Sequence, residues 1–179
     1  MSKARLVEEK AIYHIYCRGN NKVKIFLVGH DYAKYIHNLK EYRKQLQFKL
    51  YAYALMPNHL HLLLKPKVAD DLSKIMRSLN VSYSMWHNRR YGCVGHVWQG
   101  RFQSKIIRKD EDFLRCMLYI ESNPIKANLA KDPKAYRWSS CNERFMGKDN
   151  GMLDLHSTYM ELGKTKQERM CSYHGLLVI

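Results

Sequence analysis

His59 and His61 stand two residues apart in the run His59-Leu60-His61-Leu62-Leu63-Leu64-Lys65. The run reads as a β-strand, and in a strand residues i and i+2 project from the same face. Two imidazoles then point together while Leu60 and Leu62 face the other way. Such a pair can hold one divalent cation. A bare His-x-His is weakly specific, because two ordinary histidines on a sheet surface satisfy the same spacing. A histidine-triad nucleotide hydrolase is excluded by inspection, since the position two beyond His61 is Leu63.

A second chemical candidate lies about one helix further on. Taken as a helix, residues 110–123 place Phe113, Cys116, Met117 and Ile120 on one apolar arc. Asp112, Arg115, Tyr119, Ser122 and Asn123 fall on the opposite arc. Tyr119 is therefore a tyrosine that its own helix does not need for the core. Asn123, at i+4, leaves the same face one turn along. A phenol can act as a nucleophile if something helps it lose its proton. A solvated polar face carrying an amphipathic tyrosine satisfies the same pattern, and the chain has 13 tyrosines.

These groups need elements to position them. Ala11 to Arg18 alternates with β-branched and aromatic residues and reads as a strand, followed by the turn signal Gly19-Asn20-Asn21. Asp31 to Leu46 has helical spacing, with Asp31 as the expected N-cap. Lys49 to Met56 reads as a second strand and His59 to Lys65 as a third, joined at Pro57-Asn58 as a hairpin. Asp70 to about Arg90 reads as a long helix closed by Asn88-Arg89-Arg90. Gly92 to Gly100 reads as a loop and Phe102 to Ile107 as a fourth strand. Asp110 is expected to cap a helix that ends or kinks near Asn123-Pro124. The order β-α-β-β-α-β-α predicts an α+β, ferredoxin-like (split β-α-β) fold: an antiparallel four-stranded sheet with helices on one face. Residues 1–140 read as the domain, and 141–179 as an extension holding one or two short helices.

The chain has 179 residues, of which 46% are hydrophobic and 12% aromatic. That is enough for a core, so wholesale disorder is excluded. Lys plus Arg number 31 against 16 Asp plus Glu, a net charge of +15. An excess of this size points to a polyanionic partner, nucleic acid first and an anionic membrane second. Apolar runs are too short for a membrane-spanning helix, and Met1-Ser2-Lys3-Ala4-Arg5 does not open a signal peptide. Five cysteines without a C-x-x-C pair support neither a disulfide framework nor a structural zinc site, so reduced thiols in the cytoplasm are expected. Arg101 and Lys105 flank the strand before the tyrosine helix and are candidate phosphate contacts. Trp98, in the glycine-rich loop, has two readings: stacking on an unpaired base, or plugging the core.

Several stretches together resemble one family. Met56-Pro57-Asn58-His59-Leu60-His61-Leu62-Leu63 resembles the histidine strand of single-tyrosine HUH nucleases and transposases, and most of all the REP-associated tyrosine transposases. Gly95-His96-Val97-Trp98-Gln99-Gly100-Arg101-Phe102 with Ser104 resembles their glycine-tryptophan loop and following strand. Tyr119-Ile120-Glu121-Ser122-Asn123-Pro124-Ile125-Lys126-Ala127 resembles the tyrosine helix, and Trp138-Ser139-Ser140 the turn after it. Tyr13-His14-Ile15 with Arg18-Gly19-Asn20 resembles the first strand and turn, and Leu162-Gly163 with the basic stretch through Arg169 the tail.

The resemblance implies an enzyme with Tyr119 as nucleophile. His59, His61 and Asn123 would be ligands of Mg²⁺ or Mn²⁺, although the insertion-sequence relatives carry Gln at the position of Asn123. Arg18, Asn58, Trp98, Arg101 and Lys105 would contact DNA. It also implies a single-stranded or hairpin DNA substrate, cleaved and rejoined through a 5′-phosphotyrosine, and either a monomer or a homodimer. Two other readings compete. One is a ferredoxin-like module that grips RNA or DNA without cutting it, for which Tyr13, Tyr51 and Tyr53 are candidate stacking residues. The other is a metal-dependent phosphodiester hydrolase in which water attacks and Tyr119 is incidental.

Overall fold

The structure is a computed structural model that describes residues 8–145 and 151–177; the stretch Met1–Arg5 read above lies outside them. Four strands form the sheet: β1 (Ile12–Arg18), β2 (Lys49–Met56), β3 (His59–Lys65) and β4 (Gln103–Ile107). Their order is β2-β3-β1-β4 and every neighbouring pair is antiparallel. Helix α1 (Gly29–Leu46) connects β1 to β2, and α2 (Asp71–Tyr91) connects β3 to β4. This is the expected split β-α-β sheet.

Alternation along the strands divides the core in two. Tyr13, Ile15 and Cys17 of β1, with Leu60, Leu62 and Leu64 of β3, pack against Tyr35 and Leu39 of α1 and against Leu72, Ile75, Leu79 and Tyr83 of α2. Both crossover helices thus cover one face, as expected. The other face carries a second layer. Ile12, Ala52, Ala54 and Leu63 meet Phe113, Cys116, Met117 and Ile120 of α3 (Asp110–Lys126). The apolar arc read from sequence is the one that is buried.

The chain after α3 belongs to this second layer. Among the described residues its helices are α4 (Ser140–Phe145), α5 (Ser157–Met160) and α6 (Lys166–Leu177), three where one or two were expected. Cys141, Tyr159, Tyr173 and Leu177 join the α3 cluster. The segment also covers the free edge of β2. Leu55 N–H donates to Trp138 O at 2.9 Å, and Tyr53 N–H to Ser140 Oγ at 2.9 Å. Further along, Leu50 N–H donates to Asp154 Oδ2 at 2.9 Å, and Asp154 N–H returns to Leu50 O at 2.7 Å. An edge strand whose backbone is satisfied in this way offers no template for pairing with another chain.

Two local expectations are corrected. Asp31 is not the N-cap of α1; that position is Val28, and Asp31 sits three residues in. Its carboxylate accepts from the N–H groups of Leu27 and Val28 at 2.6 and 2.9 Å, which satisfies donors that open the helix from the inside. Asp110 likewise opens α3 from within, behind Lys109 at the cap. Helix α3 ends at Lys126, two residues past Pro124 and so near the expected break. Proline leaves the carbonyl four residues back without its helical donor. Asn123 Nδ2 lies 3.5 Å from that carbonyl, Ile120 O, and donates to Tyr119 O at 2.7 Å.

Gly19 has a steric reason. A Cβ there would stand 2.4 Å from Val23 O and 2.7 Å from Ile25 Cγ2, while its N–H donates to Asn58 O at 2.8 Å. The turn after β1 is thereby clamped onto the β2–β3 hairpin, directly below His59.

Candidate active site

Helix α3 covers only part of its face of the sheet. Beyond its apolar arc the sheet is open, and the exposed residues there are polar. Strand β3 contributes His59 and His61, paired with Arg18 and Tyr16 of β1. Strand β1 contributes His14 and Tyr16, paired with Lys105 and Gln103 of β4. Partners directly opposite in an antiparallel pair share a face. All of these, except Arg18, line one cleft with Tyr119 and Asn123 of α3. Two stretches about 60 residues apart in sequence thus meet on one cleft.

The aromatic rings are in mutual contact. The Tyr119 ring lies 5.6 Å from that of His61 and 5.8 Å from that of His14, both edge-on. His59 and His61 are 5.3 Å apart, and Tyr16 stands 5.1 Å from His61 and 5.6 Å from His59. Tyr119 is 43% exposed, so its phenol is accessible from solvent. Lys126 Nζ sits 5.2 Å from the centre of its ring and adds a positive charge beside it.

The histidines are held neutral. Burial pushes His61 from 6.5 down to about 3, with His14 and His59 beside it adding to the effect. Burial lowers His14 to about 4, and Lys105 contributes. His59 is also lowered, by burial and by the neighbouring Arg18 charge. A neutral imidazole keeps one nitrogen lone pair for a cation or a proton. At His59 the choice of nitrogen is fixed by Asn58. Nδ1 lies 2.7 Å from Asn58 Oδ1, which can only accept, so Nδ1 carries the hydrogen and Nε2 the lone pair. Asn58 is itself braced by its Nδ2 donating to Lys22 O at 3.1 Å.

The expected DNA contacts divide. Lys105 is exposed on the cleft, and Arg18 is half-buried beside His59. Arg101 is exposed at the mouth of a different cleft, between α2 and the loop after it. Asn58 orients His59. Trp98 corrects the stacking reading: it is 9% exposed, its ring packs on those of Tyr35 and Tyr83, and Nε1–H donates to Asn80 O at 3.1 Å. An indole satisfied and enclosed in this way plugs the core. His14, Tyr16 and Gln103 were not singled out from sequence. The alternation of Tyr13-His14-Ile15-Tyr16 places His14 and Tyr16 on one face, but only the β1–β3 register says which histidines they meet.

Residues 8–123 match the family described as "Transposase IS200 like". The chain belongs to that family. The match ends at Asn123, so it includes both histidines and Tyr119. A REP-associated tyrosine transposase of Escherichia coli K12 is 24% identical over 116 residues, 64% of this chain and 67% of that protein. A protein named as a REP-associated tyrosine transposase in Haemophilus influenzae is 28% identical over 120 residues, 59% of this chain and 68% of that one. A solved REP-associated tyrosine transposase bound to a REP hairpin superposes with a TM-score of 0.68 at 19% identity, covering 88% of this chain and 93% of that one. This likeness agrees with the observed α+β fold. Family membership agrees with the resemblance read from sequence and makes the chain an enzyme that acts on DNA. Among the described residues no helix is long and apolar enough to cross a membrane.

Among the described residues, no three His, Cys, Asp or Glu side chains converge as a closed metal site. The donor set is instead open: two neutral imidazoles, with the carboxamide of Asn123 on the same cleft. Asn123 spends its Nδ2 on the Tyr119 carbonyl, which leaves Oδ1 as its remaining polar atom. Two nitrogens and one oxygen suit a small divalent ion that keeps positions for phosphate oxygens.

Proposed function

We propose that this protein cleaves and rejoins single-stranded DNA beside a hairpin, with Tyr119 as the nucleophile. The observation that carries the reading is the meeting of an exposed phenol with His59 and His61 on one cleft of a strongly basic chain. The hairpin substrate is suggested by the solved relative, a REP-associated tyrosine transposase bound to a REP hairpin.

The chain's own residues have these roles. The Tyr119 oxygen attacks phosphorus as its proton leaves, and the bond from phosphorus to the 3′-oxygen breaks. The 3′-oxygen takes up a proton and departs as a 3′-OH, while the 5′-phosphate stays on the tyrosine. Because one phosphoester replaces another, a 3′-OH can reverse the step and join strands without ATP. His59 and His61, with Asn123 Oδ1, would hold Mg²⁺ or Mn²⁺, which when bound supplies Lewis-acid stabilisation to a non-bridging phosphate oxygen. A protonated phenol is a weak nucleophile, so help in losing its proton matters. Lys105 and Arg18 provide positive charge where the phosphate chain must pass.

A labelled hairpin DNA with a single-stranded flank, incubated with Mn²⁺ or EDTA and run on a denaturing gel, tests this. The expected result is a metal-dependent protein–DNA adduct that survives SDS and is lost in Tyr119→Phe and His61→Ala. Cleavage without an adduct, undiminished in Tyr119→Phe, would make water the nucleophile. Binding with no cleavage would favour a nucleic-acid module.

A further inference from the structure

His14 is the one histidine of the cleft to which neither the motif nor the mechanism assigns a task. Its Nε2 lies 2.9 Å from Nδ1 of His61, with the ring planes 24° apart and the centroids 5.1 Å apart. The contact joins β1 to β3 across 47 residues of sequence. Only one of the two facing nitrogens can carry the hydrogen. If His14 donates, the hydrogen of neutral His61 sits on Nε2 and blocks that nitrogen as a ligand. If His61 donates from Nδ1, its Nε2 lone pair is free. At His59 the side-chain Oδ1 of Asn58 makes the corresponding choice. Both histidines of the motif therefore have their Nδ1 engaged from behind, one by an amide and one by an imidazole.

We infer that His14 is a positioning residue: it accepts the Nδ1 hydrogen of His61, fixes that ring's tautomer and rotation, and so turns His61 Nε2 into the cleft. The inference rests on the proposed role of His61 as a ligand for its consequence in function, but the tautomer itself can be observed without metal. Among the described residues no hydrogen bond joins His14 to the Tyr119 phenol; the two rings meet edge-on at 5.8 Å. His14 therefore acts through His61. A partner behind a ligating histidine is typically worth about 10- to 100-fold in metal affinity.

The test has two readouts. Long-range ¹H–¹⁵N correlation spectra of the metal-free protein report which nitrogen of His61 carries hydrogen. Titration with Mn²⁺, followed by electron paramagnetic resonance of the free ion, reports affinity for wild type, His14→Ala, His14→Gln and His61→Ala. His61 is expected as the Nδ1–H form in the wild type, shifting toward Nε2–H in His14→Ala. Mn²⁺ affinity should fall about 10- to 100-fold in His14→Ala and largely return in His14→Gln, whose carbonyl oxygen can accept from Nδ1. Wild-type His61 in the Nε2–H form would overturn the inference, and that reading does not depend on any variant folding. Unchanged tautomer and Mn²⁺ affinity in a folded His14→Ala would overturn it too. If wild type and His61→Ala bind Mn²⁺ equally while the tautomer still follows His14, the positioning role stands and the metal reading of the site fails.

Discussion

The two faces of the sheet are built from the same four strands and treated in opposite ways. One is sealed: α1 and α2 lie over it, and Ile15, Leu60, Leu62 and Leu64 are fully buried beneath them. The other is half sealed. Helix α3 and the C-terminal helices bury Ile12, Ala54 and Leu63, and the sheet beyond them is left to His14, Tyr16, His59, His61 and Lys105. Helical cover is thus withheld over the proposed active cleft, and burial is recovered elsewhere on the same face. Behind Tyr119, on the side of α3 turned away from solvent, Glu121 is 0% exposed and its Oε1 accepts from Ser140 Oγ at 2.5 Å and from Arg144 Nη2 at 3.2 Å. Arg144 also donates to Tyr51 O at 2.9 Å and lies over the rings of Tyr159 and Tyr173. One helix therefore presents an exposed phenol on one side and is tied by a buried ion pair on the other.

The largest effect on stability should come from breaking that tie. Removing one partner of a buried pair leaves the other charged, desolvated and alone, which costs about 3–5 kcal/mol. Arg144→Ala should lose about that much in urea-unfolding experiments. Glu121→Leu combined with Arg144→Met should recover most of it. A loss of under about 1 kcal/mol for Arg144→Ala, as for an exposed pair, would mean that water reaches Glu121 and that the back of α3 is not sealed.

Slightly smaller, and on the opposite face, is Leu62→Ala. Truncating a fully buried leucine removes its transfer energy and leaves a cavity, about 2–5 kcal/mol. His61→Ala, one residue away, removes a buried ring that packs against polar and aromatic neighbours in the cleft instead of the leucine layer, and should cost less stability than Leu62→Ala while abolishing the adduct. If the two substitutions destabilise equally, the polar cluster is as structural as the leucine layer and the comparison collapses.

How much of this was legible follows from where each signal lives. The period of two in His59-Leu60-His61-Leu62 and the helical spacing of Phe113, Cys116, Met117 and Ile120 are local, and both faces were assigned correctly from them. The polar arc carried Tyr119 and Asn123 for the same reason. Glu121 was invisible, because a carboxylate on a buried flank is tolerable only with Arg144, 23 residues away. His14 was quoted as part of a strand but given no task, because its partner lies 47 residues on. Trp98 had two readings that sequence could not separate; contact with Tyr35 and Tyr83 decided between them. Pairing across the sheet is what the one-dimensional pattern lacks.

Thiol labelling sharpens the contrast in opening. Cys93 and Cys171 are exposed, while Cys17, Cys116 and Cys141 are buried. With a disulfide reagent at pH 8 under native conditions, the first two should react at once. Cys17 lies under α1 and α2 and should react only on global unfolding. Burial raises the Cys116 thiol to about 12, so it too is slow in place, but it sits on α3 above the half-covered face. Detaching α3 costs less than unfolding the domain. Cys116 should therefore react before Cys17, and the reverse order would put the weaker packing on the α1–α2 side.

The smallest stability effect belongs to Tyr119→Phe. The ring stays, its edge-on contacts with His61 and His14 stay, and only an oxygen on a 43% exposed side chain is removed. A surface change of this kind moves stability by no more than about 0.5 kcal/mol. The covalent adduct, however, should vanish altogether, because the atom removed is the one that bonds to phosphorus. Chemical denaturation and the SDS-resistant adduct, measured on the same preparation, separate the two. A Tyr119→Phe protein that loses several kcal/mol along with the adduct would make the phenol a packing group whose loss disturbs α3. One that unfolds like the wild type and forms no adduct places the lost function in a single oxygen, on the face that the fold leaves open for it.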